Sequence, residues 1–316
     1  MNQVRVSLSP HVRSHDSTSR IMLDVLIALA PSCAVGIWFM GVNAAVLLAV
    51  STLSAVLAED IWCRATKRPS PVRDLSAAVT GLLVGMNLPA TAPWWLAVLG
   101  SAFAIIVVKQ FFGGLGQNFI NPAMAARAFL LASWPSRMTL FTAPGAVDAV
   151  SSATPLMVIY GKADGALPDI IQMLIGNIPG TIGEVSKAAL ILGAAYMILR
   201  GTISPRIPLI YILTVFLLSS AFAVNGPSFM DGFYSIAAGG LFLGAIFMAT
   251  DYTTSPITPR GQTIFALGCG IITFVIRRFG SYPDGVTFAL LLMNTVTPLI
   301  DRYVRPRKYG EVAKAK

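Results

Sequence analysis

Apolar residues of this chain fall into ten runs, separated by short polar or Gly/Pro-rich turns. Runs of about 15 to 20 apolar residues predict helices that cross a lipid bilayer. The first five predicted spans are 21–40, 42–62, 75–88, 94–112 and a short helix from 118 or 122 to 134. The second five are 185–199, 207–224, 233–249, 262–276 and 285–300. The predicted fold class is therefore all-α, a polytopic membrane protein with about ten transmembrane helices.

One polar interruption is longer than the others and divides the chain into five spans on each side. The pattern predicts an N-terminal arm (1–20), a first five-helix half (21–134) and a central polar segment (135–184). A second five-helix half (185–301) and a basic tail (302–316) follow. The central segment is too small and too poor in strand signals to be an independent domain.

Composition supports a membrane protein, because 55% of the residues are hydrophobic and only 12% are charged, whereas soluble domains carry about 25% charged residues. The net charge of +9 lies in short connections and the tail without interleaved aromatic residues, so nucleic acid is not a predicted partner. With the N-terminus inside, seventeen of the 23 lysines and arginines fall on the inner side and five on the outer. This asymmetry predicts that both termini are cytoplasmic and that the central segment is outside.

Several redox and nucleotide sites are absent from the sequence. Cys33, Cys63 and Cys269 lie in or at the ends of apolar runs without C-x-x-C spacing, which argues against an iron–sulfur cluster or a disulfide framework. The only histidines, His11 and His15, lie in the polar arm, so no span can hold a bis-histidine haem. No G-x-G-x-x-G or Walker pattern occurs, and we predict no catalytic residue, metal site or nucleotide-oxidising site in this chain.

Two glycine pairs suggest an internal repeat. Gly81 and Gly85 occur in the third predicted span, Gly240 and Gly244 in the eighth, and each pair precedes a Pro/Thr-rich turn. Because each half has five spans, the copies would be inverted across the bilayer. Simple helix packing is the alternative, since small residues four apart let helices approach closely.

Interrupted segments of inverted repeats meet near the bilayer midplane and line binding sites. The polar residues that such turns would bring to a buried ligand or ion path here are Asn118, Asn121, Asp251, Thr253 and Thr254.

Charges inside spans are costly and mark functional sites by default. Arg127 lies in the short fifth helix, where it requires an anionic or carbonyl partner, and a bound anionic cofactor or a neighbouring subunit could supply one. Asp24, Glu59 and Asp60 are further candidates, although Glu59 and Asp60 lie near a cytoplasmic end, where snorkelling or pairing with a basic residue of the next loop is the alternative.

The central segment contains a hydroxyl-rich sequence of small residues, Asp148-Ala149-Val150-Ser151-Ser152-Ala153-Thr154-Pro155. Pro155 favours an extended backbone at Thr154, and the small neighbours leave its hydroxyl unhindered. The segment resembles D-x-x-[S/T]-G-A-[S/T], the signal at which a flavin transferase esterifies FMN phosphate to a threonine in the RnfD and NqrB family. Ser152 stands where that signal has glycine. An ordinary loop has a similar composition.

The resemblance to this family covers nearly the whole chain, including the turns 88–95, 118–123 and 250–256. It implies FMN bound covalently to Thr154, with Asp148, Ser151, Ser152 and Ala153 forming the attachment motif, and a second, non-covalent riboflavin. It further implies a bacterial inner-membrane complex that moves Na⁺ or H⁺, with other membrane and peripheral subunits, an outside-facing FMN subunit and an exported flavin transferase as partners. The short arm before the first span favours the Rnf branch over the longer NqrB branch.

On this interpretation the chain is one subunit of an ion-translocating oxidoreductase that couples ferredoxin:NAD electron transfer to ion movement. FMN on Thr154 would take electrons from the outside-facing subunit and pass them inward, and the flavin charge would bias two arrangements of the halves. A secondary transporter or channel fits the architecture equally well but does not explain the threonine segment. A purely structural assembly subunit is a third interpretation.

Overall fold

The computed structural model describes residues 17–141 and 154–305, apart from 225, 281 and 283, and this part of the chain contains helices but no strands. The helices of the first half are α1 Thr18–Met40, α2 Val42–Ala65, α3 Ser76–Met86, α4 Trp94–Ala102, which continues as a π-helix over Phe103–Gln110, and α5 Pro122–Ser133. Three short helices follow, α6 Pro135–Met138, α7 Pro155–Ile159 and α8 Ile170–Ile175. The second half contains α9 Lys187–Leu199, α10 Arg206–Ala221, α11 Phe229–Ala237, α12 Leu241–Leu243 with a π-helical continuation over Gly244–Met248, α13 Pro259–Phe279 and α14 Val286–Tyr303.

Every predicted apolar span corresponds to a helix, but not every one to a helix long enough to cross a bilayer. Among the described residues, α1, α2 and α13 are long and apolar enough to do so, and the bent pair α11 and α12 makes a fourth candidate. Five further apolar helices have 10 to 17 residues. The chain is thus all-helical with several membrane-type helices, and the number of ten transmembrane helices stays a prediction.

The eighth predicted span is where the sequence expectation was wrong. A continuous helix over 233–249 was predicted, but α11 ends at Ala237 and the chain bends by 69° before α12 begins. Ala238 is extended, and Gly239 has φ +70°, a conformation that glycine adopts without steric cost. The bend follows from this pair of backbone conformations.

Two other helices begin where the sequence predicted. The fifth helix begins at Pro122, the later of the two predicted starts, and Asn121 caps it by accepting hydrogen bonds from the N–H groups of Ala123 and Met124 at 3.0 and 3.2 Å. The last helix begins at Val286, one residue after the start of the predicted span 285–300.

Contacts between turns fall into two groups at opposite ends of the bundle. At one end, Ser19 donates to the carbonyl of Arg73 at 3.0 Å, and Arg200 pairs with Asp24 at 3.2 Å. At the other end, the contacts are Asn43 to the carbonyl of Ala90, Thr91 to the carbonyl of Leu140 and Lys162 to the carbonyl of Gly280. Each contact joins turns that the charge distribution predicts on the same side of the membrane.

The two glycine pairs that suggested a repeat have different surroundings. A Cβ on Gly81 would lie 2.6 Å from Cβ of Ala55 and 2.7 Å from the carbonyl oxygen of Ser51, so this pair packs α3 closely against α2. A Cβ on Gly240 would instead meet the carboxylates of Glu184 and Asp284, at 3.1 and 3.2 Å. The first pair therefore serves helix packing. In the second pair, Gly240 adjoins charge, whereas Gly244 packs against Val286 of α14, since a Cβ there would collide with Cγ1 of Val286.

Candidate functional site

Thr154 is the residue immediately before α7, and its backbone is extended with φ −71° and ψ 147°. This is the conformation that a following proline favours. Two longer helices begin in the same way, with a polar residue followed by proline: Asn121-Pro122 at α5 and Thr258-Pro259 at α13. The start of α7 therefore has the backbone of an ordinary capped helix.

The Thr154 side chain differs from the other two because its hydroxyl does not cap the helix. Oγ1 of Thr258 accepts a hydrogen bond from the N–H of Gly261 at 3.1 Å, whereas Oγ1 of Thr154 is buried and has no hydrogen-bond partner among the described residues. Leaving a buried hydroxyl unpaired costs about 1–3 kcal/mol. Five other buried hydroxyls in this part of the chain are also unpaired, those of Ser32, Ser101, Thr181, Ser220 and Thr287, so the Thr154 hydroxyl is available for covalent chemistry but is not distinguished by this property alone. The rest of the predicted attachment motif, Asp148, Ser151, Ser152 and Ala153, lies outside the described residues.

Helix α7 is held against the break between α11 and α12 by two side chains. The Tyr160 hydroxyl lies 3.0 Å from Oγ of Ser219 and 2.8 Å from Oγ of Ser235, and the two serine hydroxyls are 2.9 Å apart. Leu156 packs in a small apolar cluster that includes Ala237 and Ala238. The segment that begins at Thr154 is thus fixed to the second half of the chain.

Five charged side chains lie together beside this break, and we call them the charge cluster: Glu184, Lys187 and Arg277, which are buried, and Arg127 and Asp284, whose side chains are 10% and 9% exposed. Arg127 pairs with Glu184 at 3.3 Å and with Asp284 at 3.4 Å, and Arg277 pairs with Asp284 at 3.1 Å. Lys187 donates to the backbone carbonyl of Glu184. Although burial acts to raise the pKa of the Asp284 carboxyl, the guanidinium groups of Arg127 and Arg277 bring it below its usual range.

Arg127 has the anionic partners that its place in a short apolar helix required, and it also donates to Oδ1 of Asn87 at 2.6 Å. Arg127 does not line the cavity that is formed by the polar turn residues described below. Because these partners come from the central segment and from the turn before α14, Arg127 links the two halves of the chain. The sequence could not identify these partners, since they lie 57 and 157 positions further along the chain.

Four of the five polar turn residues that were predicted to meet do line one cavity, with a volume of about 100 Å³. They are Asn118, Asn121, Asp251 and Thr253. The fifth, Thr254, is buried behind the cavity, where its hydroxyl donates to Asp251 at 3.2 Å. Burial raises the pKa of the Asp251 carboxyl, although hydrogen bonds from Thr253 and Thr254 oppose the rise.

Lys109 also lines this cavity and belongs to a buried ion pair that the sequence interpretation missed. Its ammonium lies 2.7 Å from Oε1 of Glu59 and donates to Oγ of Ser76, while Gln110 donates to the same carboxylate oxygen of Glu59 at 2.8 Å. Snorkelling was therefore the wrong alternative for Glu59, which is fully buried. The available signal was the polar pair Lys109-Gln110 inside an apolar run.

Asp60 and Asp24 have simpler surroundings. Asp60 pairs with Arg64 one turn along α2, at 2.7 Å, and the Arg64 side chain is 78% exposed. Asp24 accepts hydrogen bonds from Tyr196 at 2.8 Å and from Arg200 at 3.2 Å. Both carboxylates lie near the end of the bundle where the N-terminus of α1 is found.

Comparison with protein families gives a match over residues 5–310 to the model described as the NQR2, RnfD, RnfE family. The chain belongs to this family. A similar protein is the D subunit of the Na⁺-translocating ferredoxin:NAD⁺ oxidoreductase complex of Acetobacterium woodii, 48% identical over 98% of this chain and 97% of that protein. The D subunit of the proton-translocating ferredoxin:NAD⁺ oxidoreductase complex of Clostridium ljungdahlii is 42% identical over 98% and 97%. The D subunit of the ion-translocating oxidoreductase complex of Halorhodospira halophila is 39% identical over 95% and 94%.

Proposed function

We propose that this chain is the flavin-bearing membrane subunit of an Rnf-type ion-translocating ferredoxin:NAD oxidoreductase, with FMN esterified to Thr154. The family membership and the names of the relatives support the type of complex. The observation that carries the flavin assignment is the extended Thr154, whose buried hydroxyl has no partner among the residues that the structure describes, although the equivalent hydroxyl of Thr258 caps a helix. FMN at this position supplies electron transfer, whereas the protein determines its position and electrostatic surroundings.

In this proposal the chain has ten spans in two inverted halves, with cytoplasmic termini in a bacterial inner membrane. Thr154 lies on the outer side, where an exported flavin transferase and an outside-facing FMN subunit can reach it. The grouping of turn contacts at two ends of the bundle supports this arrangement. Other membrane and peripheral subunits would oxidise or reduce the nucleotide, and the complex would move Na⁺ or H⁺.

The cavity lined by Asn118, Asn121, Asp251 and Thr253 is the proposed place for the second flavin, riboflavin, or for an ion path. The amides of Asn118 and Asn121 and the carboxylate of Asp251 offer donors and acceptors, while Leu83 and Phe247 provide apolar walls. This chemistry suits the edge and the face of a flavin ring. Pockets for whole ligands usually have about 300 Å³ or more, so a bound riboflavin would extend beyond the enclosed part of the cavity.

The test of the flavin assignment is fluorescence of the protein in a denaturing gel, which retains only covalently bound flavin. Thr154→Val should abolish the signal, because valine keeps the shape of threonine and removes the hydroxyl. Thr258→Val is a matched control, since Thr258 is also a buried threonine before a proline and before a helix. Its signal should equal that of the wild type. A fluorescent band from the Thr154→Val protein would contradict the assignment.

A secondary transporter is the second candidate, favoured by the broken helix pair and the polar cavity. Intact mass separates the two functions, because a flavin ester increases the mass of the chain by one FMN residue and a transporter is unmodified. An unmodified chain isolated from cells that contain the transferase would favour the transporter.

A further inference from the structure

The charge cluster contains three basic side chains and two acidic ones. Arg127, Lys187 and Arg277 are cationic, and only Glu184 and Asp284 are anionic. Lys187 is fully buried, and its ammonium contacts the backbone carbonyl of Glu184 rather than a carboxylate. The described contacts therefore leave one positive charge without an anionic partner. Burying such a charge costs several kcal/mol, and a nearby anion would offset that cost.

The cluster adjoins the helix that begins at Thr154. A Cβ on Gly239 would lie 3.2 Å from Nη2 of Arg277 and 3.4 Å from Cδ2 of Leu156, so these two side chains meet at the same point of the break. A second connection runs through Ser235, whose hydroxyl bonds to Tyr160 and whose carbonyl accepts from Arg277 at 2.8 Å. Leu156 and Tyr160 both belong to the segment that carries Thr154.

We propose that this excess positive charge is the electrostatic environment of the cofactor on Thr154, and that Lys187 and Glu184 shift its midpoint reduction potential in opposite directions. The inference rests on the proposed function. Each electron added to a bound cofactor adds one negative charge unless a proton accompanies it, so a nearby cation favours the reduced form and a nearby anion disfavours it. Coulomb interactions fall off only as the inverse of the distance, and between buried charges they are screened little by salt.

The experiment is a redox titration of the purified complex, followed by flavin absorbance. The signal of the flavin on Thr154 is the part that the Thr154→Val complex lacks. Lys187→Met removes one positive charge and should lower the midpoint potential, whereas Glu184→Gln removes one negative charge and should raise it. The double variant should return close to the wild-type potential. A structural role alone gives no reason for shifts of opposite sign that cancel.

Two further variants keep the test decisive. Asp60→Asn removes a carboxylate that pairs only with the exposed Arg64, near the end of the bundle where α1 begins, and should leave the potential unchanged. If the Lys187→Met complex does not assemble, Asp284→Asn is measured in its place as a second removal of negative charge, and it should raise the potential as Glu184→Gln does. Shifts in the same direction for Lys187→Met and Glu184→Gln, or no shift, would overturn the electrostatic inference. A wild-type chain without FMN would overturn both this inference and the proposed function.

Discussion

At the scale of single residues, buried charges were only partly predictable. That Arg127 needs an anion follows from its place in an apolar helix, but its partners Glu184 and Asp284 come from distant turns, and sequence alone gives no distance between them. Glu59 and Asp60 are neighbours in the sequence, yet Glu59 is buried against Lys109, whereas Asp60 pairs with the exposed side chain of Arg64. Adjacent helix positions point in directions about 100° apart, so two neighbouring carboxylates have different environments.

This difference gives a stability prediction for the buried ion pair of Glu59 and Lys109. Glu59→Gln leaves the buried ammonium of Lys109 without its counter-charge and should lower the free energy of unfolding by about 3–5 kcal/mol. Asp60→Asn removes the exposed pair with Arg64 and should cost no more than about 1 kcal/mol. Thermal unfolding of the detergent-solubilised chain measures both. Equal losses would contradict the assignment of Glu59 and Lys109 as a buried pair.

Thr154 shows what local sequence can and cannot supply. Pro155 predicted its extended backbone, and the structure has φ −71° and ψ 147° there. That its hydroxyl would be buried without a partner depends on the packing of α7 against the second half, through Leu156 and Tyr160. Such packing joins residues far apart in the chain, and no local pattern encodes it.

At the scale of elements, apolar runs and helix-starting residues predicted where helices lie, because both signals are local. The break between α11 and α12 was missed, since hydropathy remains high across it. The signal was the pair Gly239-Gly240, where positive φ and the close approach of Arg277 and Glu184 both require glycine. Glycine thus has different functions in this chain, close helix packing at Gly81 and room for charge at Gly240.

Gly193 tests the packing between the two halves. A Cβ there would collide with the backbone carbonyl of Ala28 and would lie 3.1 Å from the ring of Phe247. Because backbone atoms cannot turn away, Gly193→Ala should force α1 and α9 apart and cost about 1–3 kcal/mol. The thermal unfolding temperature of the purified chain should fall. Ala195→Val on the exposed face of the same helix is the control and should leave that temperature nearly unchanged; an equal fall in both variants would contradict close packing at Gly193.

At the scale of the whole molecule, the charge distribution and the contacts between turns agree although they are independent. The distribution of basic residues predicts which turns share a side of the membrane, and the contacts Ser19 to Arg73 and Lys162 to Gly280 each join turns on one predicted side. Five spans in each half, which remain a prediction, would make the halves inverted across the bilayer. The glycine pairs that suggested a repeat differ in their surroundings, because Gly81 packs against α2 and Gly240 adjoins charge.

This arrangement predicts the sides from which single cysteines are labelled. In a background with Cys33, Cys63 and Cys269 replaced by alanine, Asp164→Cys should react with a membrane-impermeant maleimide on intact cells whose outer membrane is permeable to the reagent. Ser70→Cys and Ser204→Cys should react only after the inner membrane is opened. All three positions are exposed turn residues, so differences in labelling report the side of the membrane rather than burial. If Asp164→Cys reacted only after opening, Thr154 would face the cytoplasm, out of reach of an exported transferase. Labelling of Ser70→Cys and Ser204→Cys from opposite sides would contradict the four crossings predicted between them.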